Sequence, residues 1–398
     1  MSDVQVFLGD TELGEILRSS GRGTERIGFR HAEAWLARPD RFAIDPEVFL
    51  DNRVTYPAHG GLFGAFADAA PDRWGRQLMQ RRERRAAASL GRPVRKMSEL
   101  DYVLGVSDVS RMGALRFWLN GACVSESQDV PPLVRLRALL DASVRIARGE
   151  ETDEDFSLIF APGSSLGGAR PKASVVDTHG NLCIAKFPRE GEDYSVERWE
   201  RVALQLAQAA GIRVPESELL DVNASPVLLS RRFDRRGTAR VHFASAMTLL
   251  GLRDGDQASY PEIAEVFQRE GSQPKRDAEE LFRRLVFNVC IANVDDHLRN
   301  HGFLREPAGW RLSPAYDLNP VPTDLKPRIL STNITPDDAT GSLDAAREAA
   351  PYLGVRVRRV DSVIAEVLAA VADWERVGRH FGAPRSELAR LRSAFLVA

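Results

Sequence analysis

Apolar and polar residues first alternate along this chain and later fall into helical spacing. Residues 4–8 read as a short strand, Gly9-Asp10 as a turn and residues 11–16 as the returning strand of a hairpin. Tyr56-Pro57-Ala58-His59-Gly60-Gly61 reads as a loop, and Asp68 or Asp72, with Pro71 near the first turn, is placed to start a helix through residues 73–79. A mixed segment runs from 98 to 117, and residues 125–132, rich in serine, acid and proline, form the best linker candidate. After a helix near 133–147, residues 173–176 and 182–187 flank the turn Asp177-Thr178-His179-Gly180-Asn181. A helix over 196–210 follows, stopped by Gly211 and Pro215, then a strand at 227–230 and a polar connection over 231–237. From about Phe243 the chain reads as mostly helical. Leu281, Phe282, Leu285, Val286 and Val289 mark one buried face, and Val360, Val363, Ile364, Val367, Leu368, Val371 and Trp374 mark another. The class is α+β, a β-rich half feeding a helical half, with a cleft expected at the joint. The divisions expected are 1–130, 131–237 and 238–398.

Length fits that division, since 398 residues are too many for one small core. A net charge of −2 supplies no global pull towards nucleic acid or anionic membrane. The first residues lack the pattern of a signal peptide, and no apolar run is long enough to span a bilayer. Cys123, Cys183 and Cys290 are odd in number and far apart, which argues against disulfides and cysteine zinc sites and for a reducing cytoplasm. Of 54 basic residues only Lys96, Lys172, Lys186, Lys275 and Lys326 are lysines. A lysine that persists in so arginine-rich a chain marks a place suited to a compact ammonium, and Lys172 and Lys186 fall in one short stretch.

The chemistry is concentrated in Asn293-Val294-Asp295-Asp296-His297-Leu298-Arg299-Asn300, which comes directly after the predicted buried helix. Asp295 and Asn300 have the D-x-x-x-x-N spacing of a kinase catalytic loop, in which the aspartate accepts the proton of the attacking hydroxyl and the asparagine oxygen binds a metal ion. Alone, the segment reads equally well as an acidic helix cap. The order of the next elements tips the balance: two short apolar runs around Glu306-Pro307-Ala308-Gly309 predict a hairpin, and at its exit Tyr316-Asp317-Leu318-Asn319-Pro320 puts Asp317 in the place of the metal-binding aspartate of D-F-G. One or two side-chain oxygens together with phosphate suit Mg²⁺. Upstream, Lys186 ends the strand-like Leu182-Cys183-Ile184-Ala185-Lys186, similar to the V-A-I-K strand whose ammonium holds ATP phosphates, with Glu197 or Glu200 as its partner on the next helix. The loop Gly163-Ser164-Ser165-Leu166-Gly167-Gly168-Ala169-Arg170-Pro171-Lys172 matches no standard phosphate motif, but its amides could cradle phosphates.

Gly-Ala-x-x-Lys before a hairpin, the N-x-D-D-H-x-x-N loop and the Tyr-Asp-Leu-x-Pro exit together resemble the HipA family of toxin-antitoxin kinases, as do residues 66–73 and 104–114. The resemblance implies a protein-kinase-like bilobal fold, with a β-rich N-lobe, a helical C-lobe and an added N-terminal subdomain. It implies a serine/threonine kinase using ATP and Mg²⁺ to phosphorylate an aminoacyl-tRNA synthetase. Asp295 would then be the catalytic base and Asn300 and Asp317 the metal ligands. Gly167, Gly168, Ala169, Lys172, Lys186, Glu200, Arg231, Phe233 and His297 would line the ATP site, Glu200 being preferred over Glu197 and the backbone around Arg231 and Phe233 serving as adenine hinge. Ser165, with Ser164 second, would be autophosphorylated, which would repel ATP. A small helix-turn-helix antitoxin of the HipB type, bound to operator DNA, would be the partner. Two departures stand out: Phe243-Ala244-Ser245 where many members carry Q-E-D, and Arg231 where a glutamate is common.

Competing readings are a small-molecule kinase of the aminoglycoside-phosphotransferase type, a lipid kinase with a D-R-H-x-x-N loop, and a pseudokinase acting only as a co-repressor. The first would carry H-G-D, the second lacks the N-terminal region, and the third does not need an intact Lys186, Asp295, Asn300 and Asp317. A zinc site at Asp295, His297 and His301 lacks a helical His-x-x-x-His pair and an assigned further ligand. The basic run 81–85 reads as a solvated helix face rather than a nucleic-acid contact.

Overall fold

The N-terminal alternation builds β1 (Val4–Leu8) and β2 (Thr11–Gly21), which pair antiparallel about the Gly9-Asp10 turn. The computed structural model of the chain describes residues 4–21, 24–125, 130–160 and 170–396. The chain divides into two units, Met1–Ala185 with Asp234–Ala244, and Lys186–Phe233 with Ser245–Ala398. In the first, β3 (Thr24–His31), β4 (Leu115–Leu119) and β5 (Ala122–Cys123) complete a sheet of order β3-β2-β1-β4-β5. Its period-2 pattern sends Val4, Val6, Ile16, Ile27, Phe29 and Phe117 into one core with Phe63 and Phe66. The Phe66 ring meets Phe29 edge-on at 5.5 Å. Burial of each such aromatic contributes about 1.5–3 kcal/mol.

Of the two candidate helix starters, Asp72 is the one used. It caps α1 (Arg73–Ser89), accepting from the Gly75 N–H at 2.7 Å, whereas Asp68 ends a short helix, Gly64–Asp68. The basic run on α1 is partly structural. Arg81 donates to the Ile146 carbonyl and pairs with Glu151, and Arg85 pairs with Asp153 at 2.8 Å. Ile146 lies on α2 (Leu136–Arg148), which ends at Gly149 in the left-handed conformation that favours glycine. β6 (Lys172–Val176) and β7 (Leu182–Lys186) come next, joined by the expected turn. There the Asp177 carboxylate accepts from the His179 and Asn181 amides, each at 2.8 Å. The expected polar connection at 231–237 is partly built into the first unit. Asp234 accepts from the Gly113 amide at 2.7 Å and Arg235 donates to the Arg111 carbonyl at 2.7 Å.

The second unit is the helical part. It opens with α3 (Val196–Ala209), capped by Ser195, and the antiparallel hairpin β8 (Ser217–Val222) and β9 (Ser225–Arg231). Its centre is α5 (Pro274–Cys290), on which α4 (Tyr260–Glu270), α6 (Leu343–Ala349) and α7 (Val357–Val371) pack. The apolar stripe expected to run from Val360 to Trp374 belongs to two helices. α7 stops at Ala372, and α8 (Trp374–His380) begins with the indole stacked on Phe395 at 4.6 Å. Between α5 and α6, β10 (Gly302–Glu306) and β11 (Gly309–Leu312) form the expected hairpin. Among the described residues no helix is long and apolar enough to cross a membrane.

Candidate active site

α5 delivers the candidate loop, residues 293–300, through a defined stop. The Asn293 amide donates to the Asn288 carbonyl at 2.9 Å and the Ala292 amide to Val289 at 3.3 Å, the paired bonds of a Schellman cap. Ala292 occupies the left-handed position at φ 49°, where glycine is usual, so the chain holds strain directly before the loop.

The two adjacent aspartates have opposite environments. Asp296 is 1% exposed and accepts from the Tyr260 hydroxyl at 2.7 Å and from the amides of Ser331 at 2.9 Å and Thr332 at 3.2 Å. Burial pushes its carboxyl up to about 7, against the opposing pull of those donors. Asp295 is exposed. Of the two, Asp295 is open to solvent, while Asp296 ties the loop to residues 331–332. His301 is buried, its ring edge-on to Tyr260 and its Nε2 3.1 Å from the Asp296 carbonyl, and burial lowers it to about 3, so it is neutral. His297 is half-buried; its carbonyl accepts from the Asn300 amide at 2.7 Å, and its buried Nδ1 has no hydrogen-bond partner among the described residues.

Asn300 is anchored from one end of its carboxamide. Nδ2 donates to the Asp295 carbonyl at 2.8 Å, whereas Oδ1 is buried without a hydrogen-bond partner among the described residues. An orphaned buried oxygen costs roughly 1–3 kcal/mol, and a hard cation would satisfy it. The exit segment is tied to the loop at two points. The Tyr316 hydroxyl donates to the Arg299 carbonyl at 2.6 Å, and the Asn319 amide donates to Asn293 Oδ1 at 3.2 Å. Asp317 lies between these ties at φ 54°, a conformation aspartate tolerates better than most residues.

Lys186, Glu200 and Asp317 meet. Lys186 Nζ donates to both Glu200 oxygens, at 2.7 and 2.8 Å, and to Asp317 Oδ1. Burial by itself would lower the ammonium's pKa, but the Asp317 and Glu200 carboxylates outweigh it and hold Lys186 above its ordinary value. Glu200 is 4% exposed, and burial raises it despite Lys186. The choice of Glu200 over Glu197 as the lysine's partner is thus the one the structure makes.

These residues fit a divalent cation bound with phosphate: Asp317 offers a carboxylate and Asn300 an unsatisfied amide oxygen. Among the described residues no cluster of three or more His, Cys, Asp or Glu side chains forms a metal cage. At the expected hinge, Arg231 pairs with Glu216 at 2.8 Å, and Phe233 stacks on Tyr316 with ring centroids 5.5 Å apart. Lys172 has a different setting from Lys186. Its ammonium is 2.7 Å from Asp72, both side chains at most 3% exposed, in an ion pair that braces the start of α1. Ser164, Ser165, Gly167, Gly168 and Ala169 lie outside the described residues. Tyr260, Tyr316 and Asn319 have no role assigned to them by the sequence pattern. The last two lie in the motif that identified Asp317, but nothing local marks Tyr260, which arrives from α4.

Comparison with known proteins identifies the family. The HipA-like C-terminal domain matches residues 164–374 and the HipA N-terminal domain matches residues 4–117. The chain belongs to the HipA family. Two relatives from Sinorhizobium fredii are named "Putative kinase Y4mE", 26% identical over 52% of this chain, and "Putative kinase Y4dM", 33% identical over 35% of it. The matched stretches span 56% and 37% of those relatives' lengths. The HipA chain of the Shewanella oneidensis MR-1 toxin-antitoxin complex with HipB and operator DNA superimposes with a TM-score of 0.72 over 98% of this chain and 94% of that one, at 18% identity. The fold is therefore the α+β, protein-kinase-like fold of HipA, with the family's N-terminal region included.

Proposed function

We propose that this protein is an ATP- and Mg²⁺-dependent serine/threonine protein kinase, the toxin of a toxin-antitoxin pair, acting in the cytoplasm. The observation that carries the reading is the meeting of Lys186 and Glu200 with Asp317, on an exit segment tied to a loop in which Asn300 Oδ1 has no hydrogen-bond partner among the described residues. In this reading Lys186, kept cationic by its carboxylates, holds the ATP phosphates, and Glu200 fixes the position of its ammonium. Asn300 and Asp317 would hold Mg²⁺, which supplies neutralisation of charge on the transferring phosphoryl group. Asp295, exposed at the loop surface, accepts the proton of the attacking hydroxyl as its oxygen bonds to the γ-phosphorus and the bond to ADP breaks. Phe233 and Tyr316 offer an aromatic surface beside the adenine hinge. Residues 1–130 form the added subdomain, 131–237 the nucleotide lobe and 238–398 the catalytic lobe.

The similarity to a HipA solved with HipB and operator DNA supports a small helix-turn-helix antitoxin as partner. The family resemblance supports an aminoacyl-tRNA synthetase as acceptor and Ser165 or Ser164 as the self-modified residue. Mass spectrometry of the purified chain, and of cell extract treated with it, after incubation with Mg²⁺ and ATP tests this reading. Phosphate is expected on Ser164 or Ser165 and on one dominant serine or threonine in the extract, and Asp295→Ala should remove both while leaving the circular dichroism spectrum intact. Labelling that persists in that variant would remove Asp295 as the base. Transfer to a small molecule and to no protein would replace the reading with that of a small-molecule kinase.

A further inference from the structure

The second unit carries a cavity of about 580 Å³ between the first turns of α5, the start of α7 and Gly211. Six cationic side chains and two carboxylates line it, a surplus of four positive charges in a chain whose net charge is −2. The carboxylates are already committed. Glu279 pairs with Arg359 at 2.7 Å and with Arg283, and Glu280 pairs with Arg284 at 2.7 Å. Arg283 also binds Glu366 at 2.6 Å. These pairs form a neutral floor. The surplus is carried by Lys275 and Arg276 on one wall and Arg356 and Arg358 on the other, all exposed and none with a carboxylate partner among the described residues. Arg356 and Arg358 flank the start of α7, which has no side-chain cap, so its first amides add to the positive field. Gly211 and Gly354, both at positive φ, line the cavity without side chains to fill it.

Four like charges around one concavity repel each other, and no described residue of the unit relieves them. A multiply charged anion would. Guanidinium groups match the bidentate geometry of phosphate oxygens, and the volume lies within the roughly 300–1,000 Å³ of small-ligand pockets. From this cavity we infer that the helical unit has a second anion site, independent of the one at Lys186, which takes a small polyphosphorylated ligand between Lys275-Arg276 and Arg356-Arg358. A charge surplus gathered in a concavity, rather than spread as a stripe, favours a free polyphosphate over a nucleic-acid backbone.

Calorimetric titration of the full chain with inorganic tripolyphosphate tests the inference. Binding is expected to weaken about tenfold or more in Arg356→Glu/Arg358→Glu and in Lys275→Glu/Arg276→Glu, since two charge-assisted contacts are reversed in each. The charge-matched control Arg84→Glu/Arg385→Glu, at exposed positions elsewhere, should bind as wild type does. Equal binding by all variants, or equal weakening in the control, overturns the site. Loss on Lys186→Met with retention in the arginine variants would put the anion at the nucleotide site and also overturn it. Duplex DNA bound through the same four residues, with no tripolyphosphate binding, would overturn the choice of ligand.

Discussion

Replacing Lys186 by methionine removes the charge that Glu200 and Asp317 share while keeping the length of the side chain. Glu200 is 5% exposed at its side chain and Asp317 20%, so two carboxylates would face each other with little water. Breaking a buried pair by removing one partner costs about 3–5 kcal/mol, because the remaining charge is uncompensated. For a unit of this size each kcal/mol lowers Tm by roughly 2–4 °C, so a fall on the order of 10 °C is expected in thermal unfolding followed by near-UV circular dichroism. The sign with pH comes from the two folded-state shifts. Lys186 is raised, so its stabilisation is fully present below the unfolded lysine pKa and is lost only as pH rises through its still higher folded value. In the variant, Glu200 loses the ammonium that opposes its burial, so its upward shift grows. The deficit should therefore be larger at pH 8 than at pH 5, where Glu200 can take up a proton. A variant as stable as wild type at both pH values would refute the claim that these three groups form a compensated cluster.

Two further outcomes can be checked by urea denaturation. Arg111 is fully buried in the first unit and donates to the carbonyls of Ala69, Val103 and Val106, its guanidinium 4.6 Å from the Phe117 ring, and burial lowers it to about 10. A lysine ammonium cannot span those acceptors, so Arg111→Lys should cost about 2–4 kcal/mol; a loss below about 1 kcal/mol would show that they need no fork. For Asp296, a folded pKa of about 7 lies above the unfolded value. The folded state therefore binds more protons between those two values, and this group's contribution to stability falls as pH rises towards 7 and then levels off. Asp296→Asn should flatten that fall between pH 5 and pH 7.5; identical slopes for variant and wild type would show that another group titrates.

Much of the site was legible because its residues sit in short motifs whose spacing has a mechanical reason. Asp295, Asn300 and Asp317 are candidates through a five-residue step and a hairpin that separates loop from exit, and Lys186 through the scarcity of lysine and the alternation of its strand. Choosing Asp295 over its neighbour rested on spacing alone, and burial of Asp296 supplies the physical ground. Less could be read where long-range packing decides. Lys172 lies next to a glycine-rich loop, and its ammonium meets Asp72, one hundred residues earlier, a contact that the local sequence does not show. The apolar stripe of residues 360–374 has helical spacing throughout, yet the chain breaks at Ala372 so that Trp374 can stack on Phe395, a contact local periodicity cannot reveal. β3 and α4 lacked turn or cap signals strong enough to single them out, although Ser259 with Glu262 forms a capping box at the start of α4.

In the proposed mechanism Asn300 and Asp317 belong to one cation site that is completed by nucleotide phosphate. Electron paramagnetic resonance of Mn²⁺, which shares the oxygen preference of Mg²⁺, measures it directly with ATP present and absent. Binding of Mn²⁺ is expected to depend on ATP and to weaken at least about tenfold in Asn300→Ala and in Asp317→Asn, each removing one charge-bearing or dipolar oxygen. Mn²⁺ affinity that is the same with and without ATP, or unchanged in both variants, would contradict it.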